Sequence, residues 1–363
     1  MKEKNSNVFI RVLKGIGCIL LALVLAVVIL FSYLTVTEYR PKSKESLDVL
    51  EKDDYSKTVS PGDTLTLMTW NIGYGALGDN ADFFMDGGKG VQTATEDRVN
   101  ENMKGIEQGV RDINPDVAFF QEVDVNSARS HKVDEAKYLE DGFDGYTDTF
   151  ATNFKVPFIP YPVPPIGKVN GGILTMTKYG IKDSTRVQLP CPFSWPYRLG
   201  NLKRCLAINR VPVEGTDKEL VLVNLHLEAY DSGEGKIEQT KMLKRYLQAE
   251  ADRGNYVIAA GDFNQIFSNV DGSKFPTLEG KWQAGKLDVK EFSSDWTFSM
   301  DETKASCRSL DQPLKGADKD NFQYYIIDGF ITSKNVEVKS VETKDLKFKN
   351  TDHNPVVLRV SLK

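Results

Sequence analysis

Cysteine is scarce in this sequence, with four residues among 363: Cys18, Cys191, Cys205 and Cys307. No two of them form a C-x-x-C pair, so a structural zinc site is not expected. For Cys191 and Cys205 two alternatives stay open, a disulfide between them or isolated buried thiols.

An excess of positive charge is also missing, because the formal net charge is −5. Proteins that hold nucleic acid by its phosphates gather lysine and arginine on one surface. The body of the chain has no stretch dense in these residues, which weakens a DNA-binding role, although a local patch can oppose the net charge. Long Ser/Gly linkers and repeats are absent too. One large domain of about 300 residues is the simplest organisation.

One long hydrophobic run contrasts with this ordinary composition. Residues 16–36 are 21 positions without a charge, and about 20 apolar residues cross a bilayer as a helix. Basic residues precede the run, which places residues 1–15 in the cytoplasm. A cleaved signal peptide is the alternative, but the run is too long and lacks an A-x-A site. We therefore predict a single-pass protein of the cell membrane, with a tether at 37–63 and a domain at 64–363 outside.

Strands and helices are mixed along the body. Apolar residues recur at helical spacing in 95–113 and 237–251. Short apolar runs bounded by turn residues predict strands in 65–75, 116–122, 171–179, 219–229, 256–264, 324–332 and 356–362. The first of these strands runs into a Gly-rich turn, the strand in 219–229 ends at His226, and the strand in 256–264 ends at Asp262. This mixture predicts an α/β sandwich of sheets flanked by helices.

Polar residues able to bind metal or move protons recur where these strands end. They are Asn71, Glu122, His226, Asp262, Asn264, Asp328, Asp352 and His353. Catalytic groups usually stand on loops and strand ends of a rigid sheet, where several edges converge. The chain has only three histidines, and two of them occupy such positions.

The acidic and amide residues each have two interpretations. Glu122 follows the apolar run VAFF and suits a hard cation such as Mg²⁺, or it ends a strand and faces solvent. Asp262 and Asn264 point the same way in an extended chain. They suit water activation and oxyanion binding, or they form an Asx-turn that ends the strand.

His226 and His353 also each have two interpretations. A lone histidine in an apolar strand, such as His226, is more often a core residue than a catalytic one. His353 stands beside Asp352, and a further carboxylate, Asp328, ends another apolar run. A histidine held by a carboxylate suits proton transfer, whereas the alternative for His353 is a capped turn.

Seven short motifs follow one another along the body: TWNIGYG, FFQEVD, GGILTMTKY, VNLHLEA, AAGDFNQ, IIDGFITS and TDHNPV. Together they resemble the endonuclease/exonuclease/phosphatase superfamily, which includes DNase I-like nucleases, sphingomyelinases and inositol polyphosphate 5-phosphatases. The resemblance covers residues 64–362. It implies a four-layer α/β sandwich of two packed mixed β-sheets flanked by helices. The hydrophobic run at 16–36 adds one N-terminal transmembrane helix before this fold.

The resemblance also implies a divalent metal, usually Mg²⁺, with Mn²⁺ as the alternative. The implied metal ligands are Asn71, Glu122 and Asp352. The implied catalytic residues are His226, Asp262, Asn264, Asp328 and His353. Among them, His226 contacts the phosphate or the leaving group, and Asp262 and Asn264 position the nucleophile. Asp328 orients His353, the general base or phosphate-binding group.

The chain departs from the family pattern at its third motif, which often ends in serine and arginine but reads TMTKY with Lys178. A further segment, CPFSWPYRLGNLKR, is rich in proline and aromatic residues. Its Trp195, Tyr197, Arg198 and Arg204 either pack a loop or hold a phosphorylated head group. Lys178, Arg198 and Arg204 are the predicted substrate contacts.

These observations predict a membrane-anchored, Mg²⁺-dependent phosphoesterase that cleaves a phosphodiester or a phosphomonoester. A phospholipid head group or a small phosphorylated molecule is the favoured substrate. A DNase I-like endonuclease is the alternative, with nucleic acid as the partner. A non-catalytic binding module that keeps the fold is an alternative of another class, and the complete polar set argues against it. The oligomeric state stays open.

Overall fold

Two large β-sheets packed face to face form the body of the protein. The computed structural model describes four stretches of the chain: residues 2–51, 57–231, 233–319 and 322–363. Helices cover the outer faces of the sheets: α2 (Glu96–Ile113) and α3 (Glu135–Gly142) on one, α4 (Glu234–Ala251) on the other. This arrangement confirms the predicted four-layer sandwich. It is preceded by an apolar helix, α1 (Lys2–Val36).

The first large sheet has seven strands, in the spatial order β1 (Lys44–Ser46), β6 (Asp183–Gln188), β7 (Cys205–Pro212), β8 (Glu219–His226), β9 (Tyr256–Asp262), β15 (Asp328–Ser333) and β12 (Trp296–Ser299). The second has six, in the order β16 (Val336–Thr343), β17 (Val356–Leu362), β2 (Thr64–Asn71), β3 (Val117–Asp124), β5 (Gly167–Thr177) and β4 (Thr147–Ile159). Both are mixed, because β8 pairs β9 and β2 pairs β3 in parallel while the other neighbours are antiparallel.

Two short pairs and several single turns complete the described chain. The short pairs are β10 (Gln265–Phe267) with β11 (Gly285–Leu287), and β13 (Cys307–Arg308) with β14 (Tyr324–Tyr325). The 3-10 turns are Gly73–Gly75, Phe84–Asp86, Tyr197–Gly200 and Val289–Glu291.

The alternation of side chains along the strands builds the layers. In β2, Leu65 and Leu67 face the other sheet and share a buried cluster with Leu222 of β8. Met68 and Trp70 point the opposite way and join the cluster that α2 covers. Successive strand residues point to opposite faces, so one apolar strand contributes to two cores.

Helix α2 begins and ends at residues suited to those positions. The Thr95 side chain accepts a hydrogen bond from the Arg98 N–H, and Asn114 closes the helix in a left-handed conformation. An N-cap side chain of this kind stabilises a helix by about 1 kcal/mol. The predicted helix at 95–113 is thus confirmed.

Helix α1 carries an apolar stretch, Phe9–Val36, that is long and apolar enough to cross a membrane. Most large side chains of this stretch are exposed rather than packed against the domain. Exposed apolar surface of this size is unfavourable in water and suits a bilayer. Length and composition therefore agree with the predicted span at 16–36. Its orientation stays a prediction.

Part of the segment predicted as a tether, 37–63, packs on the domain. Strand β1 pairs with β6 at the edge of the first sheet. Val59 bridges Val213 and is fully buried. Residues 52–56 of the segment lie outside the described chain. The domain boundary at residue 64 stays a prediction.

The disulfide alternative for Cys191 and Cys205 is wrong. Both cysteines are free, Cys191 exposed and Cys205 buried. Burial raises the pKa of the Cys205 thiol to about 11. This cysteine is thus an isolated buried thiol that stays protonated at neutral pH.

Candidate active site

Three neighbouring strands of the first sheet place polar residues side by side. Parallel β8 and β9 pair His226 with Asp262, and antiparallel β15 pairs Asp328 with the same Asp262. Residues directly opposite each other in a sheet point to the same face, so the register brings the three side chains together. The His226 Nε2 lies 3.5 Å from the Asp262 Oδ2.

His353 reaches this row from the second sheet. It lies in the turn before β17, and its Nδ1 is 2.8 Å from the Asp328 Oδ2. Its Nε2 is 3.8 Å from the Asp262 Oδ2. The Trp70 indole donates a hydrogen bond to the His353 carbonyl at 3.0 Å, which holds the turn against β2. An imidazole held through Nδ1 directs its other nitrogen toward the site.

The second sheet contributes oxygen and amide groups. Asn71 ends β2, and its Nδ2 donates to the Glu122 Oε1 and to the Asp262 Oδ2, both at 3.1 Å. Glu122 lies at an irregularity of β3, where the register with β5 shifts between Phe120 and Val123. Its φ of 53° is left-handed, a conformation that is costly outside glycine and clusters at functional sites.

Asn264 lies beside the row, two residues after Asp262. The Asp262 Oδ1 accepts a hydrogen bond from the Asn264 N–H at 2.9 Å, which is the Asx-turn that the sequence left open. The Asn264 Nδ2 donates to the Leu227 carbonyl at 2.9 Å. Asn264 nevertheless lines the same pocket as Asp262, so the turn also positions it at the site.

Burial and like charges shift the pKa values of the carboxyl groups. Burial, and then the neighbouring Asp328, raise the pKa of Asp262 to about 7. Burial, followed by the Asp352 carboxylate, raises the pKa of Glu122. Clustered carboxylates of this kind favour a proton or a cation between them.

The two histidines shift in opposite directions. Burial lowers the pKa of His226 well below its ordinary value. Burial would also lower the pKa of His353, but the charges of Asp328 and Asp352 and the hydrogen bond to Asp328 outweigh it and raise that pKa well above its ordinary value. At neutral pH, His226 is therefore neutral and His353 is cationic.

The side chains around Glu122 and Asp352 fit a hard divalent cation. They offer carboxylate and amide oxygens, which Mg²⁺ and Mn²⁺ prefer. The Gly73 backbone passes close to the Asp352 carboxylate, because a Cβ added at Gly73 would lie 2.8 Å from the Asp352 Oδ1. Asn71, Glu122 and Asp352 are the residues that would hold the cation. When bound, such a cation neutralises phosphate charge and lowers the pKa of a water.

Among the described residues, two further sets of side chains each bring their ligand atoms within 4.8 Å of one another. One set is Asp262, Asp328 and His353, and the other is Cys307, Asp352 and His353. Burial raises the pKa of Cys307 to about 12, so this thiol stays protonated and is a poor ligand. His353 already contacts Asp328. The oxygen groups of Asn71, Glu122 and Asp352 therefore match a hard cation better.

A pocket joins these groups to the surface. The polar residues that line it include Glu122, His226, Asp262, Asp352 and His353. Its apolar lining includes Leu77, Phe83, Met85, Phe154, Ile159 and Ile166. A phosphoester carrying an apolar part would find both kinds of partner in one cavity.

Arg129 is a pocket residue that the sequence analysis missed. Its guanidinium donates two hydrogen bonds to Asp124, at 2.9 and 3.0 Å. Its central carbon lies 3.7 Å from the centroid of the Tyr74 ring, over which it stacks. Arginine on an aromatic face suits phosphate binding. The sequence offers no signal that separates Arg129 from a surface arginine, because Tyr74, over which it stacks, is distant along the chain and meets it only in the fold.

Asp86 and Tyr230 also line the pocket and come from distant parts of the chain. The Tyr230 hydroxyl donates to the Asp86 Oδ1 at 3.0 Å. Burial raises the pKa of Asp86 to about 7. The sequence analysis did not single out either residue.

Arg204 is the predicted substrate contact that lines the pocket. It is buried, its Nε donates to the Glu228 Oε2 at 3.1 Å, and it also donates to the His226 carbonyl at 3.2 Å. Its charge is therefore balanced within the protein, and it supports the strand end that carries His226.

Arg198 and Lys178 do not line the pocket, which corrects their prediction as substrate contacts. The Arg198 Nε lies 3.1 Å from the Glu38 Oε1, at the end of α1. The Lys178 Nζ lies 3.5 Å from the Asp116 Oδ1. Asp116 precedes Glu122 by six positions, which is about 20 Å along an extended chain. Lys178 is thus at the opposite end of the sheet.

A sequence profile described as the endonuclease/exonuclease/phosphatase family matches residues 68–340. The chain belongs to this family. Members of the endonuclease/exonuclease/phosphatase family hydrolyse phosphoester bonds and generally depend on a divalent metal, so the chain is a metal-dependent hydrolase of ester bonds. A comparison with curated proteins finds no match.

Solved structures from this family share the fold. An endonuclease/exonuclease/phosphatase from Beutenbergia cavernae DSM 12333 is 19% identical over 82% of this chain and 72% of its own, with a TM-score of 0.55. A family member from Bacteroides vulgatus is 16% identical over 83% and 100%, with a TM-score of 0.51. One from Bacteroides thetaiotaomicron is 16% identical over 84% and 97%, also with 0.51.

Proposed function

We propose that this chain is a membrane-anchored, outward-facing, Mg²⁺-dependent phosphoesterase. Its substrate is a phosphodiester or phosphomonoester in a phospholipid head group or a small phosphorylated molecule. One observation carries the proposal: His353, which Asp328 holds through Nδ1 at 2.8 Å, lines one pocket with Asp262 and the carboxylates Glu122 and Asp352.

The pKa directions favour particular roles. Asp262, with a pKa of about 7, is suited to take a proton from the attacking water. Cationic His353 is suited to hold a phosphate oxygen and the charge that develops on it. Asp328 orients that imidazole, neutral His226 contacts the phosphate or leaving group, and Asn264 contributes to the same pocket.

The cation, Mg²⁺ with Mn²⁺ as the alternative, is assigned to Asn71, Glu122 and Asp352. Asn71 also donates to Asp262 at 3.1 Å, so the ligand set and the proposed base are joined by one amide. Loss of Asn71 would therefore disturb both.

The charge of the pocket favours a small or lipid phosphoester over DNA. Arg129 pairs with Asp124 and Arg204 with Glu228. The buried Arg308 instead donates to the backbone carbonyls of Ser309 and Gly78. A groove that follows a DNA backbone needs several cations available for phosphates. A nuclease remains the alternative function.

The test is a substrate panel on the full-length protein reconstituted in vesicles. DNA, lipid phosphodiesters and a chromogenic phosphodiester are each assayed with Mg²⁺ and with EDTA. We expect EDTA-sensitive turnover that is lost in His353→Ala and kept in His131→Ala. His131 is a matched control, because its Nε2 contacts the Ala94 carbonyl, away from the pocket. No turnover by the wild type on any substrate would favour a binding module, and salt-sensitive DNA cleavage would favour a nuclease.

A further inference from the structure

Five large apolar side chains are exposed on two loops and the strand end that leads into one of them: Phe158, near the end of β4, Tyr161 and Val163 after it, and Trp195 and Tyr197 on the other loop. We call them the rim. Val163 is 92% exposed and Tyr197 is 74% exposed. Clustered apolar side chains of this size are unusual on a surface that faces only water, and they mark interaction sites.

The end of helix α1 contacts the rim directly. The Trp195 indole donates a hydrogen bond to the Thr35 hydroxyl at 3.2 Å. The rings of Trp195 and Phe31 have centroids 6.1 Å apart. Phe31 lies five residues before the end of α1 at Val36, or about 7.5 Å along a helix. Where α1 crosses a membrane, Trp195 therefore stands at the level of the lipid–water interface, which tryptophan prefers.

A group of charges fixes the same junction. The Glu38 side chain is only 4% exposed, and it pairs with the Arg198 Nε at 3.1 Å and the Lys203 Nζ at 3.2 Å. The Arg40 Nε lies 3.0 Å from the other Glu38 oxygen. A carboxylate that is shielded from water and shared by several cations holds α1 against this loop more firmly than a single exposed pair would.

The rim is continuous with the mouth of the pocket. Ile159 and Ile166 flank the loop that carries Tyr161 and Val163, and both line the pocket. The Tyr161 ring packs edge-on against Phe84 at 5.8 Å. On the other loop, Asn201 and Leu202 follow Tyr197 and also line the pocket. Both loops thus border the entrance to the pocket, and the loop of Trp195 also meets the junction with α1.

We propose that the rim rests in the head-group layer of the membrane that α1 spans, and that the pocket takes its phosphoester from a lipid of that layer. This inference rests on the proposed function and narrows its substrate to a membrane lipid. The occupant is the bilayer, because the helix that enters it ends against Trp195. Aromatic side chains bind at the interface through their apolar rings and polar edges.

Depth labelling tests the position of the rim. The exposed Cys18 and Cys191 are replaced by serine, and a fluorophore is attached to Val163→Cys in the full-length protein in phosphatidylcholine vesicles. Doxyl-labelled lipids should quench it at least threefold more than a fluorophore at Leu50→Cys. Leu50 is a matched control, because it is 49% exposed and bridges Asp148, near the opposite end of β4. Equal quenching at both positions would overturn the proposal.

Kinetics separate this inference from the proposed function. Phe158→Ser/Tyr161→Ser/Val163→Ser should lower turnover of a vesicle lipid at least tenfold and leave hydrolysis of a water-soluble chromogenic phosphodiester within twofold. Leu50→Ser should change neither rate. Equal loss on both substrates, or no loss on the lipid, would overturn the inference while activity on the soluble ester still supports a phosphoesterase. If the wild type hydrolyses neither ester, the proposed function fails, and doxyl quenching alone then decides whether the rim meets the bilayer.

Discussion

The two histidines of this site differ in their protonation at neutral pH. His353 is held between carboxylates and stays cationic, whereas His226, buried beside Arg204, stays neutral. The contrast arises from position alone, since both residues begin with the same ordinary pKa. Substitutions in the His353–Asp328 pair should therefore separate the effect of the imidazole's charge from the effect of its position.

His353→Gln removes the positive charge of the imidazole and keeps a side chain that can form hydrogen bonds. We expect kcat on the chromogenic ester to fall by about 10²–10⁴-fold, with little change in Tm. Asp328→Asn should give a smaller loss, because it misorients the ring and removes a charge without deleting the imidazole. His131→Gln is the control. Near wild-type kcat in a folded His353→Gln protein would contradict the catalytic role.

Glu122→Gln tests the assigned cation site without an activity readout. A ligand at 100 times its Kd stabilises the folded state by about 2.7 kcal/mol, so Mg²⁺ should raise the Tm of the wild type. We expect Glu122→Gln to lose most of that increase. Glu101→Gln, an exposed change on α2 (59% exposed), should keep it. The same Mg²⁺ response in both variants would place the cation elsewhere.

Asp86 gives stability a pH dependence with a defined sign. Its ordinary pKa is 3.8, and burial raises it to about 7 in the folded protein. Between these pH values the folded state holds a proton that the unfolded state releases. The contribution of Asp86 to the free energy of unfolding is therefore full in acid and is lost as the pH rises toward 7.

Asp86→Asn should therefore be no more stable than wild type at pH 4 and more stable at pH 8, by roughly 1–2 kcal/mol after allowance for solvent screening. Thermal unfolding in EDTA at both values measures this, because EDTA removes any effect of cations. The amide keeps an acceptor for Tyr230. A difference between the two proteins that does not change with pH would contradict the raised pKa.

Strand ends are the elements that build the site. Three adjacent strands bring His226, Asp262 and Asp328 into register, and the turn before β17 adds His353. Gly261 allows β8 and β9 to approach at this point, since an added Cβ would lie 1.9 Å from the Leu225 carbonyl oxygen. Only glycine fits there without moving a strand.

Gly261→Ala should lower both stability and activity, because it displaces Asp262 from its neighbours. Overpacking in a tight core costs about 1–3 kcal/mol. Gly142→Ala is the control, since its Cβ would make only an ordinary contact, 3.5 Å from the Glu107 side chain. Chemical denaturation and the chromogenic assay measure the two effects. Equal stability in both variants would contradict the close approach.

At the scale of the whole molecule, the end of helix α1 packs against the domain. The orientation of α1 therefore decides on which side of the membrane the domain lies. The domain is expected outside the cell, and Cys191 is exposed while Cys205 and Cys307 are buried. A membrane-impermeant maleimide should therefore label intact cells at Cys191 and should not label the Cys191→Ser protein. Labelling that occurs only after lysis would reverse the predicted orientation.

The sequence alone determined what depends on local pattern: the apolar span at 16–36, the strands that end at Asn71, His226 and Asp262, and the motifs that resemble the family. Burial and periodicity are encoded within a few residues, so these features need no tertiary information. The order of the motifs then implied the two-sheet sandwich, which the fold confirms.

Only the tertiary structure decided which charges meet. It brought Arg129 over Tyr74 into the pocket, and it joined Arg198 to Glu38, which are 160 positions apart. It also placed Lys178 at the far end of β3. A side chain's partner depends on how the sheets and loops pack, and that packing is a property of contacts distant along the chain rather than of neighbouring residues.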